Sequence, residues 1–165
     1  MAPFAPDGTG PDFPLFANGP VVLFHDRAVL AATTSRLADL GYLVHRFDAA
    51  AWATKADFAA AVKRELAFPA HFGGNLDAFD DCLRAVATRP GEHTGTALVF
   101  TGYDAFATHE PRTAQAVLDI VADNARFAML FGHRVTCLVQ TDDPTARFTP
   151  VGATGVTLNP GEGRR

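Results

Sequence analysis

Cysteine is nearly absent from this 165-residue chain, which holds only Cys82 and Cys137. One lies in a helical pattern and the other in an apolar strand pattern, so the disulfide-dense scaffolds of small secreted domains do not apply and buried free thiols are expected. Positive charge is also short: 14 Lys and Arg stand against 18 Asp and Glu, a formal charge of -4. Without surplus cations to displace counterions from phosphates, the composition argues against nucleic-acid binding and favours a basic partner. No run approaches ~20 uninterrupted apolar residues, so no membrane-spanning helix is predicted. Residues 1–20 contain no Lys or Arg and are broken by five prolines. They therefore lack the charged and apolar regions of a signal peptide, and a cytoplasmic protein is expected.

Enzyme signatures are missing as well. The chain contains no GxGxxG, GxxxxGK[ST], GxSxG or CxxC. Its six histidines include no pair at i, i+3 or i, i+4, which removes local support for a histidine metal site. No catalytic residue, metal or cofactor is expected.

What is present is a foldable core. Hydrophobic residues make up 48% of the chain, with 14 phenylalanines and 19% charged residues, a composition far from that of disordered chains. The proline-rich arm at 1–20 is read as extended or disordered. "VVLFH" (21–25) has strand character, and the helical spacing of Val29, Leu30, Leu37 and Leu40 ends at Gly41. "YLVHRFDA" (42–49) alternates as a strand. The helix after it has Thr54 as a cap, Asp57 three residues on, Phe58, Val62 and Leu66 on one face, and Pro69 beyond its end. A further helix is predicted over about 76–86.

"TALVFTGY" (96–103) is apolar enough for a strand buried on both faces. A short helical turn and a long helix follow, with Pro111 in its first turn and Val117, Ile120, Val121, Asn124 and Phe127 at recurring spacing. "RVTCLVQ" (134–140) is the last convincing strand, and residues 148–158 are read as adding an edge strand. This alternation predicts an α/β fold: a small, mainly parallel sheet of about three to four strands packed with helices. Residues 21–140 form one domain in this reading, and 141–165 a C-terminal extension.

The stretch "HFGGNLDAFDDCLR" (71–84) carries the chemistry. Its paired glycines precede Asn75, a good helix N-cap, and Asp77 in the first turn faces the positive end of the helix dipole, worth ~0.3–1 kcal/mol. Asp80 and Asp81 lie near or past the reach of that effect. A like-charged Asp77–Asp81 pair at i, i+4 costs an isolated helix ~0.2–0.5 kcal/mol. The same acids would repel a phosphate from the glycine loop, and their diverging directions suit neither calcium nor a carboxylate dyad. An exposed acidic face awaiting a cationic partner accounts for them better.

The longer run "KRELAFPAHFGGNLDAFDDCLR" (63–84) closely resembles the segment that marks the barstar family, intracellular protein inhibitors of a bacterial ribonuclease. The order of elements downstream also agrees, so the resemblance covers roughly residues 42–140. The β–α unit at 21–41 then flanks the family core. The resemblance implies a protein whose loop and acidic helix occlude a ribonuclease active site, with Asp77 and Asp81 facing the target. Asn75 and Gly73 match the family's backbone-presenting loop, and Leu76 and Cys82 match packing positions. His71 and Asp80 stand where the family has an interface tyrosine and tryptophan, and Val86 where a second tryptophan falls.

The partner-binding set implied is His71, Gly73, Gly74, Asn75, Asp77, Asp80, Asp81 and Arg84, in a chain monomeric when free. A non-inhibitory interaction domain using the same surface is the alternative reading.

Overall fold

Runs of Val, Leu and Phe with no polar alternation are satisfied only between two covering layers. The computed structural model describes residues 15, 17, 19–151 and 155–162, and in it three such runs become strands buried on both faces. They are β1 (Val21–Phe24), β3 (Gly95–Thr101) and β4 (Val135–Gln140). β2 (Tyr42–Asp48) mixes buried, half-buried and exposed residues, as suits an edge, and β5 (Thr157–Leu158) is a two-residue strand at the other edge. The order is β2-β3-β4-β1-β5 and every pairing is parallel.

The sheet thus holds the four strands read from sequence plus β5. That fifth strand occupies the end of the expected 148–158 edge, whose residues 152–154 lie outside the described residues. The arm at 1–20, expected to be extended or disordered, also lies outside them, apart from residues 15, 17, 19 and 20.

Helices cover the sheet unequally. α1 (Arg27–Asp39) packs Leu30 and Leu37 against Val22, Phe24, Tyr42, Ala97, Val99 and Leu138 on one face. On the other face lie α2 (Lys55–Glu65), α3 (Leu76–Ala87), α4 (Tyr103–His109) and α5 (Pro111–Met129). Successive residues of β1 serve both layers, Val21 and Leu23 facing one and Val22 and Phe24 the other, as the two-residue period of a strand requires.

Local sequence sets the ends of these elements. Thr54 and Asp57 form a reciprocal capping box on α2, which satisfies two otherwise orphaned amides. Pro111 occupies the first turn of α5, where its missing N–H costs nothing. Gly102 joins β3 to α4 with φ +62°, and a Cβ there would come within 2.7 Å of the Ala50 side chain. Its amide donates to Oε1 of the fully buried Gln140 at 2.8 Å.

The larger core is aromatic. Trp52 meets Phe106 edge-on at 5.2 Å, and Phe58 meets Phe79 edge-on at 5.0 Å. Tyr103 resolves its buried hydroxyl by donating to the Ala114 carbonyl at 2.8 Å. Cys137 is a buried free thiol, and burial pushes its ionisation far up. Cys82 is also free but only half-buried, against expectation, because it lies beside the buried stripe of α3.

Two outcomes follow from this packing. Phe79→Ala, which empties a site 1% exposed, should lower unfolding free energy by about 3–5 kcal/mol in chemical denaturation. The second concerns Asp142, which accepts from Arg27 at 2.8 and 2.9 Å and from Gln140 at 3.0 Å. Those bonds, Arg27's first, bring its pKa from 3.8 down to about 2. A depressed carboxylate stabilises the fold above its unfolded value, and the contribution disappears as pH falls through the folded one. Denaturation midpoints followed from about pH 4 to about pH 2 should therefore fall less steeply in Arg27→Met than in wild type.

Candidate partner-binding site

The loop before α3 is shaped by how α2 ends. Ala67, at φ +52°, takes the left-handed position after the helix, and the Phe68 amide reaches back to the Lys63 carbonyl at 3.0 Å. This is a Schellman closure with alanine in the place usually taken by glycine. Phe68 is then buried, with Phe72 at 5.0 Å and Phe79 at 6.2 Å between ring centres. These rings tether the loop, and His71 and Gly73 stay exposed between and beyond them. Gly74 turns the chain at φ +70°, where a side chain would be strained. Asn75 follows as the N-cap, its Oδ1 accepting from the Ala78 amide at 2.7 Å.

Within α3, Phe79, Leu83, Val86 and Ala87 are buried. That stripe fixes the rotation of the helix and leaves Asp77 and Asp81, one turn apart, both exposed. Neither makes an ion pair or accepts a hydrogen bond among the described residues. Other acids are engaged: Asp104 accepts from the amides of Asp142 and Asp143, and Glu162 from those of His25 and Asp26. Asp81 also acts on its neighbour, since burial first and the Asp81 charge second push the Cys82 thiol up.

Asp80 behaves differently from the exposed acid expected of it. It accepts from Nδ2 of Asn124 on α5 at 2.6 Å and pairs with Arg84 at 3.5 Å. Asn124 is fully buried, and the same amide nitrogen donates to the Ile120 carbonyl at 2.9 Å while its Oδ1 accepts from Arg84 Nε at 3.5 Å. The Arg84 guanidinium also lies 4.8 Å from the ring centre of Phe127.

The structure therefore leaves His71, Gly73 and Asn75 exposed on the loop and Asp77 and Asp81 exposed on the helix that follows, with Gly74 half-buried between them, and turns Asp80 toward α5. Phe127 contributes as well, as does Asn124, which sequence reading took only as a member of a helical stripe. A polar amide amid apolar repeats was the signal available for Asn124. Among the described residues, no group of three or more His, Cys, Asp and Glu could hold a metal ion, and no helix is long and apolar enough to cross a membrane.

Fold and site together define a small parallel α/β domain that presents an acidic helix entrance to solvent. A family model for Barstar (barnase inhibitor) matches residues 42–140, more than half of the chain. The chain belongs to the barstar family, which is a family of inhibitors. No curated protein matches it. Among solved structures, a chain in a structure of Drosophila ORC bound to AT-rich DNA and Cdc6 is similar over 78% of this chain and 42% of its own, at 14% identity and a TM-score of 0.49. This chain thus spans less than half of that one, and so distant a likeness carries no functional argument.

Asp80 and Asn124 should be energetically coupled. A double-mutant cycle of Asp80→Ala and Asn124→Ala, read by denaturant unfolding, is expected to give an interaction of about 0.5–3 kcal/mol. Strict additivity would mean that the contact contributes nothing.

Proposed function

We propose that this protein inhibits a basic ribonuclease by seating the loop at 69–75 and the entrance of α3 in the enzyme's active site. The observation that carries the reading is the pair Asp77 and Asp81, exposed one turn apart and free of internal ion pairs among the described residues. A site that holds RNA phosphates is lined with cationic donors. Carboxylates can occupy the phosphate positions and form charge-assisted hydrogen bonds there. Asn75 and Gly74 support this by fixing where the helix starts, and His71 and Gly73 lie on the same exposed rim.

In this reading the protein works by occlusion and without catalysis, in the cytoplasm of the cell that makes the enzyme, as an immunity protein. The single domain at 21–140 is monomeric when free and contacts neither nucleic acid nor membrane. The internal ties of Asp80 favour a narrower contact than a face of three acids. They also keep in view the second reading, a regulatory interaction domain that binds a basic protein without blocking catalysis.

Titration of small basic ribonucleases, barnase among them, with a fluorogenic RNA substrate separates these readings. Stoichiometric loss of turnover is expected for the cognate enzyme. A charge-assisted hydrogen bond contributes about 1.5–3 kcal/mol, so Asp77→Ala and Asp81→Ala should each weaken inhibition by roughly 10- to 100-fold. Binding that leaves turnover intact would support the interaction domain instead.

A further inference from the structure

We propose that Phe127, Leu130 and Phe131, at the C-terminal end of α5, form the apolar half of a docking surface whose acidic half is Asp77 and Asp81. One partner covers both halves: a protein with a cationic cleft bordered by an apolar ledge. The inference rests on the partner-binding reading of α3 and extends it across the neighbouring helix.

Large apolar side chains are exposed in one cluster here and singly elsewhere. Leu130 is 79% exposed, Met129 60% and Phe131 59%. Among the described residues, the other exposed large hydrophobics are Leu43 and Leu158, which sit apart on the edge strands β2 and β5. Scattered apolar residues are ordinary, whereas a contiguous group marks a contact surface. Phe127 lies in the last turn of α5, and Leu130 and Phe131 follow in the turn that closes it, their amides bonded back to the carbonyls of Phe127 and Ala128. The rings of Phe127 and Phe131 are 5.1 Å apart.

The cluster is continuous with the acidic face. α3 and α5 run side by side in the same direction, with Asp80 against Asn124, Arg84 over Phe127, and Ala87 packed with Ala125 and Ala128. Asp77, Asp81 and Arg84 follow one another along the exposed side of α3, and Arg84 rests on the aromatic pair. The surface thus passes from carboxylates, across an arginine already balanced by Asp80, to rings and a leucine. Interfaces commonly combine such an apolar anchor with charged neighbours that steer the encounter.

Charge selects the occupant. An anionic membrane or a nucleic acid would meet Asp77 and Asp81 with like charge, and a second copy of this chain carries the same charge of -4. A cationic protein is the occupant that both halves favour.

The test compares wild type, Asp77→Asn/Asp81→Asn, Leu130→Ser/Phe131→Ser, and Leu130→Lys at the most exposed position, should the apolar double variant misfold. Binding is measured at low and high salt to barnase and other microbial ribonucleases, and to lysozyme and cytochrome c as cationic proteins of other kinds. A ribonuclease should bind wild type and lose at least tenfold in affinity with either class of variant. The apolar variants should speed dissociation and keep the salt dependence, while the acid variant should slow association and flatten it.

A ribonuclease that ignores the apolar variants overturns the extended surface and leaves the inhibitor reading standing. Binding confined to a cationic protein of another kind, sensitive to both classes, supports the surface and removes the ribonuclease. Absence of any binding overturns both. A wild-type dimer in sedimentation that Leu130→Lys dissolves gives the patch to a second copy and overturns the inference.

Discussion

Phe79 sets the orientation on which the site depends, because its ring is locked between Phe58 and Phe68 while Leu83 and Val86 enter the same core from the next turns of the helix. Rotating α3 would draw these side chains into water, at about 1.5–3 kcal/mol each. No comparable force acts directly on Asp77 or Asp81. Their direction is a consequence of apolar burial on the opposite side, and the cap at Asn75 fixes the turn from which they project.

A second constraint decides which acids remain available. Asn124 brings an amide into an otherwise apolar helix contact, and a buried amide must find partners or cost about 1–3 kcal/mol. It finds Asp80, Arg84 and its own helix backbone. One polar requirement therefore removes Asp80 from the free acidic face, sets the posture of Arg84 and ties α3 to α5. The exposed surface becomes a property of two helices.

The segment before the family core has a different task. α1 closes the face of the sheet away from α3, filling it with Leu30 and Leu37, and β1 lies between β4 and the short β5. Ion pairing of Arg27 with Asp142 and the bonds from the His25 and Asp26 amides to Glu162 stitch this side together. The N-terminal unit and the acidic helix thus lie on opposite layers of one sheet.

Much of this was legible in the sequence. The apolar runs at 21–25, 96–103 and 134–140 announced strands, the middle one an interior strand, because apolar patterning and local caps are short-range information, and Thr54, Asn75 and Pro111 marked helix starts for the same reason. The motif at 63–84 gave the family, and Asn75 with Asp77 read correctly as cap and first-turn acid. Neither the tie of Asp80 to Asn124 nor the stacking of Arg84 on Phe127 was readable, since each joins residues about forty positions apart whose proximity exists only after α3 and α5 pack. Sequence by itself determined which residues seek burial and where helices begin. Tertiary structure decided which carboxylates stay in water, because that depends on which polar groups from distant elements arrive first to claim them.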